Sequence, residues 1–160
     1  YSQLFDFNKS LTIDSNRGTS GIDGSVSTAV GAAWVSKELS TLITGDLSFF
    51  YDSNALWNSY ISPNLRIIVV NNSGGGIFRF IDGPGTLPEL EKFFETKHER
   101  KAKSLAMEAG LEYFHADSAE SLSKALSFFF AESKTARLLE VFTPNELNGE
   151  VLRNYFKSMA

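Results

Sequence analysis

Two short polar motifs in this sequence carry the residue types that a divalent cation and a phosphate require. Gly45-Asp46 follows the apolar run Thr41–Thr44, and Asn71-Asn72-Ser73-Gly74-Gly75-Gly76 follows Leu65–Val70. Asp46 and Asn72 stand 26 positions apart, the span of one strand–helix–strand unit. A parallel sheet would bring both to one rim, beyond the carboxyl ends of its strands. A carboxylate and an amide oxygen are hard donors, suited to Mg²⁺ or Ca²⁺ rather than to soft metals. A single carboxylate is typical where ligand phosphates and water complete the octahedron around Mg²⁺. Leu47-Ser48 opens a helix whose free N–H groups favour an anion, and Gly45 lets a ligand approach the backbone. The glycines at 74–76 expose backbone groups in the same way. Together these features select a Mg²⁺-bound phosphate or diphosphate, although either motif alone is also ordinary turn chemistry.

The elements that must position these residues alternate between strand-like and helical patterns, which predicts an α/β fold. The expected architecture is a doubly wound, mainly parallel sheet with helices on both faces. Leu65–Val70 is the clearest strand, because β-branched residues dominate it. Thr41–Thr44, Leu111–His115 and Ala136–Phe142 supply three more. Helices are expected over Ser25–Ser36, from Ser48 to Trp57, from Pro88 through PELEKFFE, and over Lys101–Ala109 with Gly110 as its left-handed cap. Asp117 to Glu120 resembles a capping box for Ser118–Glu132, and Thr143 to Glu146 caps a last helix. No repeat or linker interrupts the chain, so residues 1–160 read as one domain.

Gly-Asp, some 25 residues, then Asn-Asn resembles the cofactor signature of thiamine-diphosphate enzymes. Four blocks narrow the likeness: SNRGTSGIDG (Ser15–Gly24), GDLSFFYDSNAL (Gly45–Leu56), NNSGGGIF (Asn71–Phe78) and LLEVFTPNELNGEVL (Leu138–Leu152). They are similar to the branch of menaquinone biosynthesis that decarboxylates 2-oxoglutarate and adds the product to isochorismate. The resemblance implies thiamine diphosphate held through Mg²⁺ (or Mn²⁺), with Asp46, Asn72 and the Gly74 carbonyl as metal ligands. It places Ile22 under the cofactor, holding it bent so that proton transfer within it is local. Ser20, Gly21, Asp23 and Gly24 would form the surrounding loop, with Gly45, Leu47 and Ser48 beside the diphosphate. Arg17 would bind a substrate carboxylate, for which a planar guanidinium fork is apt, while Ile77 and Phe78 line the apolar side.

The same resemblance puts the activating glutamate on a separate N-terminal domain and implies a homo-oligomer, dimer or tetramer, with shared active sites. The 160 residues would then be the C-terminal, diphosphate-binding part of a longer cytoplasmic transferase, inactive alone. Two other readings share part of the pattern: an acetolactate-synthase-like lyase, and a non-enzymatic Mg²⁺-phosphate-binding α/β domain. A nucleotide-binding GxGxxG is missing after the first strand, and so is a P-loop.

Composition removes several other classes. Fifteen Lys and Arg against nineteen Asp and Glu leave a net charge of −4, which gives no broad electrostatic grip on nucleic acid or anionic lipid. Zero cysteines exclude disulfides, thiolate metal sites and cysteine nucleophiles. The apolar runs are strand-sized, too short for a membrane-spanning helix. His98 sits in the charged stretch TKHERKAK and reads as solvated, while His115 reads as structural. Three consecutive residues, Phe128-Phe129-Phe130, sweep about 200° of a helix, so at least one should leave the core.

Overall fold

The computed structural model describes residues 7–16, 21–79 and 83–159. Four strands form one all-parallel sheet in the order β1-β2-β4-β3: β1 is Ser40–Gly45, β2 Leu65–Asn71, β3 Glu112–Ala116 and β4 Arg137–Phe142. β2 and β4 lie at its centre, where runs of Leu, Ile and Val bury both faces of the pleat. Gly45 pairs with Val70, and Asn71 with Phe142, so the carboxyl ends of β1, β2 and β4 finish together.

Helices cover both faces, as an α/β chain requires. On one face α1 (Ser25–Val35), α2 (Asp46–Tyr51) and α3 (Lys103–Glu108) pack Val26, Val30, Ala33, Phe49 and Ala106 against Leu65, Ile67, Val69 and Leu138. On the other, α4 (Ala119–Phe129) sets Ala125 and Phe129 on Leu139, with Phe114 and Val141 packed beside them. The helix α5 (Asn148–Met159) reaches the loop after β2 through an Arg153 bond to the Arg79 carbonyl.

A pair of arginines closes the opposite rim. Arg66 is 1% exposed, and its guanidinium donates to the carbonyls of Phe129, Pro63, Leu65 and Ala131. Arg137, its register partner on β4, donates to the carbonyls of Phe128 and Ala131 and to Glu112. Cations at the end of α4 satisfy the carbonyls left open by the last helical turn.

Several boundaries move from their expected places. The stretch from Ser48 to Trp57 is two elements, α2 and the 3₁₀ segment Ser53–Trp57, and the chain turns at Asp52 between them. Asp52 accepts from both the amide and the hydroxyl of Ser27, at 2.7 Å each, and so ties this turn to α1. Pro88 lies in a turn rather than a first helical position, and only Leu90–Phe94 coils, as a π-helical turn. The capping box of α4 is shifted one residue: Ser118 caps, and its partner is Ser121. Gly110 does adopt the left-handed conformation, at φ 74°. Of the three phenylalanines, Phe129 is fully buried while Phe128 and Phe130 are exposed. Among the described residues no helix is long and apolar enough to cross a membrane.

Candidate metal and phosphate site

The register of β1 and β2 sets Asp46 and the loop after Asn71 side by side at the carboxyl rim of the sheet. Asp46 is 2% exposed. Its Oδ1 accepts the Leu47 N–H at 2.7 Å, and its Oδ2 accepts the Gly74 N–H at 2.9 Å, which draws the glycine loop onto the carboxylate. Gly45 has an extended backbone, and a Cβ there would meet no atom within 4 Å. The fold itself therefore does not need glycine at this position, and the space beside it is open.

The glycine loop needs its residues more strictly. Ser73 and Gly74 have φ of 63° and 155°. Asn71 Oδ1 accepts the Ser73 N–H at 3.0 Å, and the Gly75 N–H donates to the Glu95 carbonyl at 2.6 Å. A Cβ on Gly74 would stand 2.8 Å from that same carbonyl, so only glycine fits. A Cβ on Gly76 would stand 2.5 Å from Asn72 Nδ2, so the Asn72 amide lies against the bare glycine backbone. Among the described residues that amide has no hydrogen-bond partner. An oxygen donor set of a buried carboxylate, an unengaged amide and a tight carbonyl-bearing loop fits a hard cation such as Mg²⁺.

Behind the site stands a buried network that the motifs do not reveal. Glu140, on central strand β4, is 0% exposed. Its Oε1 accepts from Asn71 Nδ2 at 2.7 Å and from the Ala102 N–H at 2.9 Å, and its Oε2 accepts from the Tyr113 hydroxyl at 2.7 Å. Asn71 Nδ2 also donates to the Arg100 carbonyl. The first asparagine of the pair is thus a brace, and only the second is open to a ligand. A second brace is the buried Glu95 carboxylate, which takes the Arg79 guanidinium as a two-pronged pair at 2.5 and 2.7 Å.

Burial, then the hydrogen bond to Glu140 and its charge, push the Tyr113 phenol well above its ordinary value. The unfolded chain releases this proton at about pH 10 while the folded chain keeps it, so Tyr113 makes stability fall as pH rises beyond that point. Tyr113→Phe is expected to flatten this alkaline loss, which urea unfolding across an alkaline pH series would register as a shallower slope.

The structure brings together three of the expected segments. The Ser48 hydroxyl donates to the Ile22 carbonyl at 2.9 Å, joining the Gly21–Gly24 turn to the start of α2. Gly24, at φ 77°, caps α1 and accepts the Thr28 N–H. Gly21, Ile22 and Asp23 are exposed beside it, and Leu47 is half-buried. Ile77 and Phe78 diverge: Ile77 is exposed, and Phe78 turns against Phe94 at 5.8 Å. Arg17 and Ser20 lie outside the described residues.

One residue departs from its expectation outright. His98 is not solvated: its side chain is only 9% exposed and its ring meets Phe50 edge-on at 5.3 Å. Its Nε2 lies 3.2 Å from Asp46 Oδ2. Around it Lys97, Glu99, Arg100 and Lys101 are exposed, while Ala102 is buried and the His98 N–H is bonded to the Ser73 carbonyl at 3.2 Å. The charges of TKHERKAK conceal the one ring that turns inward, and nothing in their spacing marks it. Glu140 did leave a trace: a lone carboxylate in the apolar run LLEVF must be paired if that run is a central strand.

Comparison with known proteins bears on the same residues. A family model described as thiamine pyrophosphate enzyme, C-terminal TPP binding domain, matches residues 1–141. The 2-succinyl-5-enolpyruvyl-6-hydroxy-3-cyclohexene-1-carboxylate synthase of Christiangramia forsetii is 56% identical over 159 residues, covering 99% of this chain and 28% of that protein. Proteins with the same name from Flavobacterium johnsoniae and Porphyromonas gingivalis are 48% and 53% identical, over 99% and 89% of this chain. The chain spans 29% and 25% of their respective lengths.

Proposed function

We propose, because the chain belongs to the thiamine pyrophosphate enzymes as their C-terminal TPP-binding domain, that it holds thiamine diphosphate through a divalent cation. Asp46, Asn72 and the Gly74 carbonyl would be the protein ligands of Mg²⁺ or Mn²⁺, with Gly45, Leu47 and Ser48 beside the diphosphate. The observation that carries this reading is the buried Asp46 carboxylate, drawn against the glycine loop by the Gly74 N–H. Ile22, exposed on a turn tied to α2 by Ser48, would support the bent cofactor, with Gly21, Asp23, Gly24 and Ser20 around it. When bound, thiamine diphosphate supplies the electron sink for decarboxylation next to a carbonyl.

The larger protein would decarboxylate 2-oxoglutarate and add the product to isochorismate, a reading supported by the relatives' name and the four sequence blocks. In it Arg17 would fix a substrate carboxylate and Ile77 would line the apolar side with Phe78. This chain would supply the metal and diphosphate half of the site, and the activating glutamate would come from another domain. A homo-oligomer, dimer or tetramer, is supported by the wide exposure of Trp34, Tyr51 and Trp57 on this unit. By itself the chain is expected to give no turnover of isochorismate with 2-oxoglutarate.

Calorimetric titration with thiamine diphosphate, with Mg²⁺ and with a chelator, tests the reading. Binding should require the cation and exceed that of Mg²⁺-pyrophosphate or Mg²⁺-ADP. Equal affinity for all three would favour a general Mg²⁺-phosphate domain instead. Ile22→Ala should weaken thiamine diphosphate binding but not Mg²⁺-pyrophosphate binding, with stability changed by no more than about 0.5 kcal/mol because the side chain is exposed. Equal losses for both ligands would remove Ile22 from its place under the thiazolium.

A further inference from the structure

The geometry points to His98 as a positioning residue for the Asp46 carboxylate: a buried imidazole that holds Oδ2 from behind so that the carboxylate keeps its orientation toward a bound cation. The inference rests on the reading of Asp46 as a metal ligand and adds a residue to it. Three observations converge on the ring. Its side chain is more than nine-tenths buried, its Nε2 lies 3.2 Å from Asp46 Oδ2, and among the described residues that nitrogen has no hydrogen-bond partner. A buried donor so close to a carboxylate gains by turning its N–H onto it.

The tautomer is fixed by the backbone. His98 Nδ1 accepts the Arg100 N–H at 3.0 Å, so in the neutral ring the proton resides on Nε2, facing Asp46. A ring in this state cannot offer Nε2 as a metal ligand, since that would need a lone pair there. It can only donate. Oδ2 thus faces two donors, the Gly74 N–H and the imidazole, while Oδ1 takes the Leu47 N–H alone and retains capacity for a cation. The His98 backbone N–H donates to the Ser73 carbonyl, so one residue holds the loop that carries Asn72 and Gly74 and sets its ring beside the carboxylate. Such outer partners orient metal ligands and raise their basicity.

The chain has only two histidines, His98 and His115, which makes the ring directly observable. Imidazole ¹⁵N shifts in mildly alkaline buffer should place the proton of one ring on Nε2, and His98→Gln should remove that signal. A proton on Nδ1 would overturn the assignment. Mn²⁺ affinity, read by electron paramagnetic resonance in the presence of thiamine diphosphate, supplies the second readout. His98→Leu should weaken it by about ten-fold or more. His98→Gln, whose amide N–H reaches the Nε2 position, should restore most of that loss. If His98→Gln is no better than His98→Leu, or if His98→Leu matches wild type, His98 is packing and no more. Asp46→Asn separates the two ideas: a large loss there with an unaffected His98→Leu sinks the imidazole alone, whereas an unaffected Asp46→Asn sinks the metal reading with it.

Discussion

Replacing Asp46 with alanine is expected to abolish the stabilisation that thiamine diphosphate and Mg²⁺ together should give this chain. At a ligand concentration of about a hundred times its dissociation constant, wild type should gain about 2.7 kcal/mol, or roughly 5–10 °C in Tm for a domain of this size. The variant should gain almost nothing, since on the proposed reading the cation would lose its one carboxylate and the diphosphate would lose the cation. The ligand-induced shift is the quantity to compare, because Asp46→Ala also changes the free protein. Removing the carboxylate leaves the Leu47 and Gly74 N–H groups without their acceptor, at about 1–3 kcal/mol for each buried donor. Asp46→Asn keeps the volume and an acceptor for one of them, so its free form should melt closer to wild type while its ligand response stays small. Equal shifts in wild type and both variants would take Asp46 out of the site.

What the sequence made legible is the part of the site governed by local rules. Strand ends are visible as β-branched runs that stop at polar residues, and a parallel sheet then places Gly45-Asp46 and the Asn71–Gly76 loop on one rim without further information. The four strands accordingly fall where the apolar runs lie. Less legible were the elements whose ends are decided by tertiary contacts. Asp52 turns the chain between α2 and the following 3₁₀ segment because Ser27, on a different helix, offers it two donors. Pro88 could begin a helix on local grounds, yet Glu95 and Arg79 anchor that region by a buried ion pair, and only one irregular turn forms. Hidden altogether was the second layer. His98 and Asp46 are 52 positions apart and meet only because the loop after Glu95 folds back over the carboxyl ends of the strands. A histidine in a charged stretch gives no sign of that.

Glu140→Ala should be the most destabilising single change near the site, at about 3 kcal/mol or more. The residue is fully buried in β4, and its carboxylate is the shared acceptor for three donors on three segments: Asn71 at the end of β2, Ala102 at the start of α3 and Tyr113 on β3. Alanine removes all three bonds at once and leaves a cavity. Asn71 keeps the Arg100 carbonyl, but the Ala102 N–H is buried with no substitute, and each buried donor so stranded costs about 1–3 kcal/mol. Glu140→Gln supplies the contrast. Its carbonyl can accept from Asn71 and Ala102, and its amide N–H can donate to the Tyr113 oxygen if the hydroxyl turns outward, so every group finds a partner. The cost should then be about 1 kcal/mol, the scale of a typical net hydrogen bond. Glutamine also removes the negative charge that helps hold the Tyr113 proton, so the alkaline loss of stability should be larger in wild type than in this variant. Urea unfolding of the three proteins decides the matter. A Glu140→Gln chain as unstable as Glu140→Ala would mean that the network depends on the charge itself rather than on satisfied donors. The alanine variant should also bind thiamine diphosphate with Mg²⁺ poorly, since Asn71 orders the Ser73 N–H and leads directly into Asn72.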